Sequence, residues 1–225
     1  IKSGKHVGAV KNCGSIRSMA IASDSDEFIF AGKEATIFMW NMTNGVPNNI
    51  ENAHNSIIRC LISINKSGQG LIASGSKDRT VKIWRLKDLT LMSTFDGHGK
   101  SVNCLAAIPT NPTKQQESVN RIISGSEDGT LKIWDLNVSN QQRVFKKDRV
   151  EQHTGPIKFL KFVSGEKKFI SASQDGFVKY WNIETCEHIG NLSKHSKPVN
   201  ALEISDDGNR VFSAGGDGKV LAWDL

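Results

Sequence analysis

The sequence contains no apolar run approaching the ~20 residues that a membrane-spanning helix needs, so we expect no membrane partner. It opens with IKSGKHVGAV, which has neither an initiator methionine nor the apolar core of a signal peptide. The absent methionine favours a piece of a longer protein. With 225 residues, 38% of them hydrophobic, the chain can still bury a core.

Cysteine is scarce, and the four residues present form no CxxC pair. Their spacing fits neither a zinc site nor a compact disulfide framework. Cys60 and Cys104 stand in apolar segments, where a free cysteine behaves as a small hydrophobic residue. We therefore expect buried free thiols and an intracellular protein, in the cytoplasm or the nucleus.

Helical periodicity and ligand-binding motifs are also missing. No useful length of sequence places apolar residues at a 3.6-residue spacing, which predicts very little helix. No GxGxxG or P-loop follows a strand-like segment, and no HExxH occurs. We expect no cofactor, no metal ion and no small-molecule substrate.

Tryptophan, in contrast, recurs at a nearly constant spacing. The five tryptophans are separated by 44, 50, 47 and 42 residues. A fixed period in this range indicates one structural unit that is repeated along the chain. The repeats are expected at about 1–40, 41–84, 85–134, 135–181 and 182–225, within a single domain spanning 1–225.

Turn and strand signals surround each tryptophan. Asp-Gly pairs stand between apolar runs at 128–129, 175–176 and 217–218, and this arrangement predicts tight β-hairpins because glycine accepts positive φ. Upstream, apolar residues step by three and then by two, as in Val102, Leu105 and Ala107. A regular strand would step by two throughout, so the odd step predicts a β-bulge near the start of the first strand.

Four repeats carry a histidine, a serine, an aspartate and a tryptophan in one register, and Trp134-Asp135 and Trp223-Asp224 form Trp-Asp pairs. Over essentially the whole chain these residues resemble the WD-repeat family. The resemblance implies an all-β propeller of four-stranded antiparallel blades. With five repeats, the alternatives are a five-bladed ring or part of a larger ring.

The first repeat is degenerate. It has Glu34 in place of the aspartate, no equivalent serine, and Asn12-Cys13-Gly14 where the histidine is expected. Trp40 nevertheless keeps the period. The start of the chain aligns with an outer strand of the last repeat. In the family the ring closes when these two elements pair, and the two ends of this sequence match that arrangement in either alternative.

The repeated polar residues are not expected to be catalytic. A catalytic Ser/His/Asp triad occurs once, beside a cleft, whereas this set occurs four times together with a tryptophan. The resemblance implies a buried hydrogen-bond network from carboxylate through imidazole and hydroxyl to the indole N–H, and hence no enzyme. The expected network residues are His54, Ser74, Asp78, Trp84, His98, Ser124, Asp128, Trp134, His153, Ser171, Asp175, Trp181, His195, Ser213, Asp217 and Trp223.

The resemblance also implies a partner-binding face. In the family, three positions per blade point there: three and five residues after the histidine, and the residue before the aspartate. In this sequence they are Ser15, Arg17, Lys33, Ile57, Arg59, Lys77, Ser101, Asn103, Glu127, Pro156, Lys158, Gln174, Pro198, Asn200 and Gly216. Five of these residues are basic and only Glu127 is acidic. Such a face suits an acidic or phosphorylated peptide, and the alternative is a solvated basic rim.

Two insertions interrupt the repeats. The segment PTNPTKQQESVN lengthens the third repeat and is expected to form a polar loop on the opposite face. The segment NVSNQQRVFKKDRVEQH lengthens the link before His153, and its Lys146, Lys147 and Arg149 are expected to extend the basic surface.

The sequence thus predicts a non-enzymatic interaction scaffold that works with other proteins in a complex. Two alternatives remain: an RNA-associated component of a ribonucleoprotein, and a substrate-recognition module of a ubiquitin ligase. The net charge of +6 permits RNA binding. Aromatic residues that could stack on bases are few near the predicted face, and Tyr180 lies within a predicted strand.

Overall fold

A computed structural model of the chain describes residues 9–11, 13–22, 27–41, 43, 45, 47–66, 68–109, 119–137, 142–144, 152–163 and 167–225. These residues form 19 β-strands and contain no α-helix. The strands are β1 (Ile16–Ile21), β2 (Glu27–Gly32), β3 (Ile37–Asn41), β4 (Pro47–Ile50), β5 (Ile58–Lys66), β6 (Gln69–Ser76), β7 (Val81–Arg85), β8 (Leu91–Phe95), β9 (Val102–Pro109), β10 (Val119–Ser126), β11 (Leu131–Asp135), β12 (Gln142–Val144), β13 (Ile157–Phe162), β14 (Lys168–Ser173), β15 (Phe177–Asn182), β16 (His188–Lys194), β17 (Val199–Ile204), β18 (Arg210–Gly215) and β19 (Val220–Asp224).

The strands form five antiparallel sheets, and in each sheet neighbours in sequence are neighbours in space. Sheets one to four are β1–β4, β5–β8, β9–β12 and β13–β16, and sheet five is β17–β19. Each sheet holds one of the five tryptophans in its third strand, and the fourth strand of sheets one to four follows that tryptophan in the sequence. This arrangement confirms the predicted all-β architecture of blades. The first strand of each of the first four sheets lies against the first strand of the next sheet along the chain.

The predicted β-bulges are present. In every sheet the pairing register shifts one residue after the first strand begins. The extra residue breaks the two-residue alternation and turns its side chain away from the regular pleat. The bulged residues are Arg17, Arg59, Asn103, Lys158 and Asn200.

The predicted hairpins are also present between the second and third strands. Gly129 and Gly176 have φ values of +81° and +86°, which only glycine adopts at low cost. In sheets one and two the same position is held by Ala35 and Arg79, with φ of 56° and 76°. The Asp-Gly signal therefore identifies three hairpins, while the other two form because the flanking strands impose the turn.

The core lies between adjacent sheets. Ile29, Ala31 and Ile37 of sheet one pack against Ile58 and Ile72 of sheet two, and similar apolar clusters fill the next three junctions. Burial of this apolar area is the main force that holds the sheets together.

Close approach of the sheets depends on one small residue in the second strand. A Cβ on Gly75 would lie 2.6 Å from Cys60 Sγ and 2.7 Å from Val102 Cγ1 of the next sheet. The distances are below any normal contact, so this junction requires glycine. Gly125 is constrained in the same way by Cys104 and Ile157.

The four cysteines are buried and form no disulfide bond, as predicted. Burial raises the pKa of the Cys60 thiol to about 12, and it raises the pKa of Cys104 well above its usual value. These thiols are therefore poor nucleophiles.

Two sequence predictions fall partly or wholly outside the described residues. The loop between β9 and β10 at 110–118 and the segment 145–151, with Lys146, Lys147 and Arg149, are not among them. Within the described ranges, no helix is long and apolar enough to cross a bilayer.

Candidate partner-binding face

The repeated polar residues form a hydrogen-bond chain behind the hairpins of sheets two to five. In sheet four, Trp181 Nε1 donates to Ser171 Oγ at 2.7 Å, and Ser171 Oγ lies 2.7 Å from His153 Nε2. His153 Nδ1 lies 2.9 Å from Asp175 Oδ2. The indole can only donate and the carboxylate can only accept, so a neutral imidazole carries its proton on Nδ1.

Sheets two and three contain the same chain. His54 lies 2.7 Å from Ser74 and 2.8 Å from Asp78, and Trp84 donates to the same serine at 2.9 Å. In sheet three, His98 Nε2 lies 2.6 Å from Ser124 and Trp134 donates to that hydroxyl at 2.8 Å. There the Nδ1 atom is closer to Thr130, at 3.0 Å, than to Asp128, at 3.4 Å.

Sheet five contains a shorter chain. His195 lies 2.9 Å from Ser213 and 3.0 Å from Asp217, but the buried Trp223 Nε1 has no hydrogen-bond partner. The expectation that Trp223 joins the network is therefore wrong. In sheets two to four a fourth strand pairs with the tryptophan strand, whereas no described strand lies beside β19 to hold the indole against Ser213.

The carboxylates are held ionised by their partners. Burial alone would raise the pKa of Asp175, but hydrogen bonds from His153, the Phe177 amide and the Thr154 amide lower it to about 2. Burial lowers the pKa of His153, which therefore stays neutral at physiological pH. The Asp78 and Asp128 pKa values are lowered by equivalent bonds that outweigh burial.

The serines of these chains are inaccessible. Ser74, Ser124 and Ser171 are 0% exposed, and each accepts an indole N–H. A hydrolytic nucleophile must reach its substrate beside an oxyanion hole. The geometry supplies a buried, satisfied polar network, which favours one packing arrangement of each blade.

Sheet one replaces this network with aromatic rings. Phe30 stands in the register of the network serine and Phe38 in the register of the lysine two residues before the tryptophan. The Phe30 and Phe38 rings stack at 5.3 Å, and Phe28 contacts Trp40 edge-on at 5.0 Å. The degenerate repeat therefore keeps its blade through apolar contacts.

Two further repeated residues were not predicted. Lysines two positions before the tryptophan are anchored to the preceding loop, as Lys82 Nζ donates to Ala53 O at 2.7 Å and Lys179 Nζ to Gln152 O at 3.0 Å. The second serine of the Ser-X-Ser segment is buried, and Ser76 Oγ donates to Ile57 O at 3.0 Å. Both residues recur in register, and that recurrence is the signal that could have identified them.

The structure brings the three predicted positions of each blade together. In sheet two, the Lys77 amide donates to Ile57 O at 2.9 Å, and Arg59 is the bulged residue two positions further on. The same backbone bond occurs in the other four sheets, with lengths of 2.8 to 3.1 Å. We call the resulting surface the bulge face; it consists of Ser15, Arg17, Lys33, Ile57, Arg59, Lys77, Ser101, Asn103, Glu127, Pro156, Lys158, Gln174, Pro198, Asn200 and Gly216.

Most of the bulge face is accessible, and its charge is uneven. Arg17, Lys33, Lys77 and Lys158 are exposed, and Arg59 is half-buried. Among the fifteen positions, Ser101 is the buried one, at 5% exposure. Four of the five cations belong to sheets one and two, so the positive charge is concentrated on that side.

Polar side chains on the bulge face differ in their hydrogen bonding. Asn103 Nδ2 donates to Ile157 O of the next sheet at 3.0 Å, so this amide joins two blades. The Nε atom of Arg59 is buried and has no hydrogen-bond partner among the described residues.

Other cations lie beside this face and were not predicted. Lys100 and Lys197 are exposed in the loops that precede the first strands of sheets three and five. Both stand two residues after the network histidine, a spacing that could have identified them. Within the described ranges, no cluster of three or more His, Cys, Asp or Glu side chains could hold a metal ion.

Together these features define a repeat protein of the propeller-blade class with a basic strand-edge surface. The family model described as WD domain, G-beta repeat matches residues 45–85, 89–135, 144–182 and 186–224, which is more than half of the chain. The chain therefore belongs to the WD-repeat family.

Several curated proteins are similar in sequence. Kinesin-like protein KIF21B of Mus musculus is 29% identical over 215 residues, covering 92% of this chain and 12% of the relative. Small ribosomal subunit protein RACK1y of Oryza sativa subsp. japonica is 38% identical over 77 residues, covering 33% of this chain and 23% of the relative. Denticleless protein homolog B of Xenopus laevis is 32% identical over 91 residues, covering 40% of this chain and 13% of the relative. The chain thus spans a small part of the relatives that it matches.

Proposed function

We propose that this chain is a non-enzymatic interaction scaffold whose bulge face binds an acidic or phosphorylated segment of a partner protein. The observation that carries the proposal is the set of bulged residues, of which Arg17, Arg59 and Lys158 are cations. Each bulge turns its side chain out of the pleat at the same end of its blade, where charge-assisted hydrogen bonds to carboxylate or phosphate can form.

The hairpin residues reinforce this arrangement. Lys33 and Lys77 are held beside Arg17 and Arg59 by the backbone bonds to Ser15 and Ile57. An extended acidic segment that follows sheets one and two would meet four cations. It would pass Glu127 only if it continued onto sheet three. The favoured orientation therefore places most of the ligand's negative charge over sheets one and two.

The relatives favour an interaction scaffold over any particular enzymatic reaction. Their names refer to a kinesin-like protein, a small ribosomal subunit protein and a Denticleless homologue, which share a region of this family. An intracellular setting, in the cytoplasm or the nucleus, belongs to the same proposal because the four buried cysteines form no disulfide bond.

RNA binding is a second candidate, favoured by the ribosomal relative and by the positive charge. Nonspecific binding of single-stranded RNA relies on aromatic side chains that stack on bases. No aromatic residue is among the fifteen residues of the bulge face, so we rank this candidate second.

Fluorescence anisotropy can distinguish the two candidates. The probes are a labelled peptide of glutamate and phosphoserine, the same peptide with glutamine and serine, and a labelled oligouridine. We expect the acidic peptide to bind, and binding to weaken as salt screens the charges. Equal binding of the neutral peptide would refute the electrostatic basis, and preferential binding of oligouridine would favour the second candidate.

A further inference from the structure

A cavity lies between sheets three and four, at the strand ends opposite the bulge face. Its volume is about 110 Å³, and its apolar lining includes Ile108 near the end of β9, Phe162 at the end of β13 and Ile183 directly after β15. Ile108 and Ile183 also belong to the buried core of this junction. An apolar cavity of about 150 Å³ can hold benzene, so this recess has room for one aliphatic side chain.

Three charged residues complete the lining of the cavity. Lys167 Nζ donates to Glu184 Oε1 at 2.6 Å, and both side chains are exposed. That hydrogen bond is the main cause that lowers the pKa of Glu184, and the positive charge of Arg121 adds a smaller effect. Arg121 is half-buried near the start of β10. The lining therefore has one cation in excess of its single carboxylate.

Arg121 differs from its counterpart in sheet five. Arg210 and Asp224 have the paired strand positions there that Arg121 and Asp135 have in sheet three. Arg210 Nε donates to Asp224 Oδ1 at 3.1 Å. In sheet three the Asp135 carboxylate accepts the Asn137 amide at 2.8 Å, and no ion pair joins it to Arg121. Arg121 thus lines the cavity without the cross-strand partner that its counterpart has.

The same strand position in sheet two shows what packing alone favours. Leu71 stands opposite Ile64 there, as Arg121 stands opposite Ile108 in sheet three. Leu71 is 3% exposed and belongs to the core between sheets two and three. Sheet three forgoes this apolar burial and places a cation at the edge of the next core. Local departures from a packing rule are expected at functional sites.

We propose that this cavity binds a segment of a partner protein that presents a leucine-sized aliphatic side chain beside an aspartate or glutamate. The aliphatic side chain enters the apolar recess, and the carboxylate accepts hydrogen bonds from the Arg121 guanidinium, whose planar fork matches it. Lys167 and Glu184 extend the lining to the exposed surface, where a chain that continues past the anchored residues meets a donor and an acceptor. The cavity is separate from the bulge face, so it would give the scaffold a second contact at the other end of its blades.

An NMR titration of the 225-residue chain tests the proposal with synthetic peptides. The probe is the acetylated and amidated peptide Gly-Ser-Asp-Leu-Ser-Gly, and two matched controls replace its aspartate by asparagine or its leucine by alanine. We expect amide shifts at Ile108, Arg121 and Ile183, while Arg17 and Arg59 of the bulge face stay unchanged. Each control peptide should bind at least about tenfold more weakly, since it loses the charge-assisted hydrogen bond or the apolar burial.

The Arg121→Leu variant tests the role of the cation. Leucine is the residue that sheet two has at this position, so we expect the variant to fold, and thermal unfolding checks this. Its affinity for the probe should fall at least about tenfold. The matched control Arg210→Leu changes the equivalent residue of sheet five and should bind as the parent chain does. If Arg121→Leu does not fold, Arg121→Gln takes its place, and the two control peptides still test the site on the parent chain.

Three results would overturn the proposal. Equal affinity of Arg121→Leu and the parent chain would mean that the guanidinium does not bind the carboxylate. Shifts confined to the bulge face, or no shifts at millimolar peptide, would mean that the cavity does not bind the segment. Tighter binding of a peptide that lacks aspartate and ends in leucine with a free carboxylate would make a chain terminus the occupant. None of these results bears on the bulge face, whose cations lie at the other end of the strands.

Discussion

The backbone N–H of His195 donates to the carbonyl oxygen of Gly176 at 2.8 Å, which ties the hairpin of sheet four to the loop that begins sheet five. Gly176 has a φ of +86°, and a Cβ at this residue would meet the His195 carbonyl oxygen. One position therefore combines a left-handed backbone with contact to the next blade.

Gly176→Ala should therefore destabilise the protein more than Gly218→Ala. Gly218 has a similar φ of +76° but nothing within 4 Å of an added Cβ. Gly218→Ala therefore measures only the cost of placing alanine in a left-handed backbone. We expect a loss of about 1 kcal/mol at Gly218 and roughly 3 kcal/mol at Gly176. Urea unfolding of both variants measures the difference, and equal losses would show that the inter-blade contact is unimportant.

Removal of the network carboxylate should destabilise its blade. Asp175→Ala leaves the buried His153 without its acceptor and should lower the free energy of unfolding by about 2–3 kcal/mol. The matched control is Glu34→Ala, in the blade that lacks the network histidine, where we expect less than about 0.5 kcal/mol. If both variants unfold at the same denaturant concentration, the network does not contribute to stability.

The two serine positions should respond differently. Ser124→Ala removes the partner of both His98 and Trp134, whereas Ser213→Ala removes only the partner of His195. We expect Ser124→Ala to cost about 1 kcal/mol more, since one additional buried donor loses its acceptor. Thermal unfolding of the two variants makes the comparison, and a larger loss for Ser213→Ala would contradict the Trp223 geometry.

Stability should fall in acid in two steps. The pKa of His153 is lowered from 6.5 and that of Asp175 from 3.8 to about 2, so the unfolded chain binds more protons than the folded chain in acid. The free energy of unfolding therefore decreases as pH falls below about 6.5, and again between about pH 4 and 2. Urea titrations across this range measure both steps. Asp175→Asn should diminish the second step, and stability that rises between pH 7 and 5 would contradict these assignments.

The sequence was sufficient to predict local structure where the contacts lie within one repeat. The Asp-Gly pairs predicted the hairpins, and the step from Val102 to Leu105 predicted the bulge that turns Asn103 out of the pleat. The positive φ of Arg79 was not predictable, because the flanking strands impose a turn that arginine does not favour.

The absence of a hydrogen bond from Trp223 Nε1 could not be predicted from the sequence either. Its repeat contains the full His/Ser/Asp/Trp set, but within the described residues no strand lies beside β19 and the Trp223 Nε1 atom has no hydrogen-bond partner. Contacts between blades depend on neighbours, and the repeat pattern of one blade does not describe them. The stacking of Phe30 on Phe38 was not predicted, because neither residue matches the pattern of the other repeats.

The electrostatic role of the bulge face is tested most directly by charge reversal with a matched control. One variant carries Arg17→Glu, Arg59→Glu and Lys158→Glu. The control carries the same charge change at Lys87, Lys167 and Arg210, which are exposed at the opposite ends of the strands. Because Arg59 is half-buried, a second variant reverses only the exposed Lys33 and Lys77.

The measurement is the affinity of each folded variant for the labelled glutamate-phosphoserine peptide. We predict that the bulge-face triple variant loses at least about 100-fold in affinity, or roughly 2.7 kcal/mol, while the control stays within about threefold of the parent chain. The Lys33/Lys77 variant should lie between them. Equal losses in the triple variant and the control would contradict the account, since binding would then follow net charge and not the bulge face.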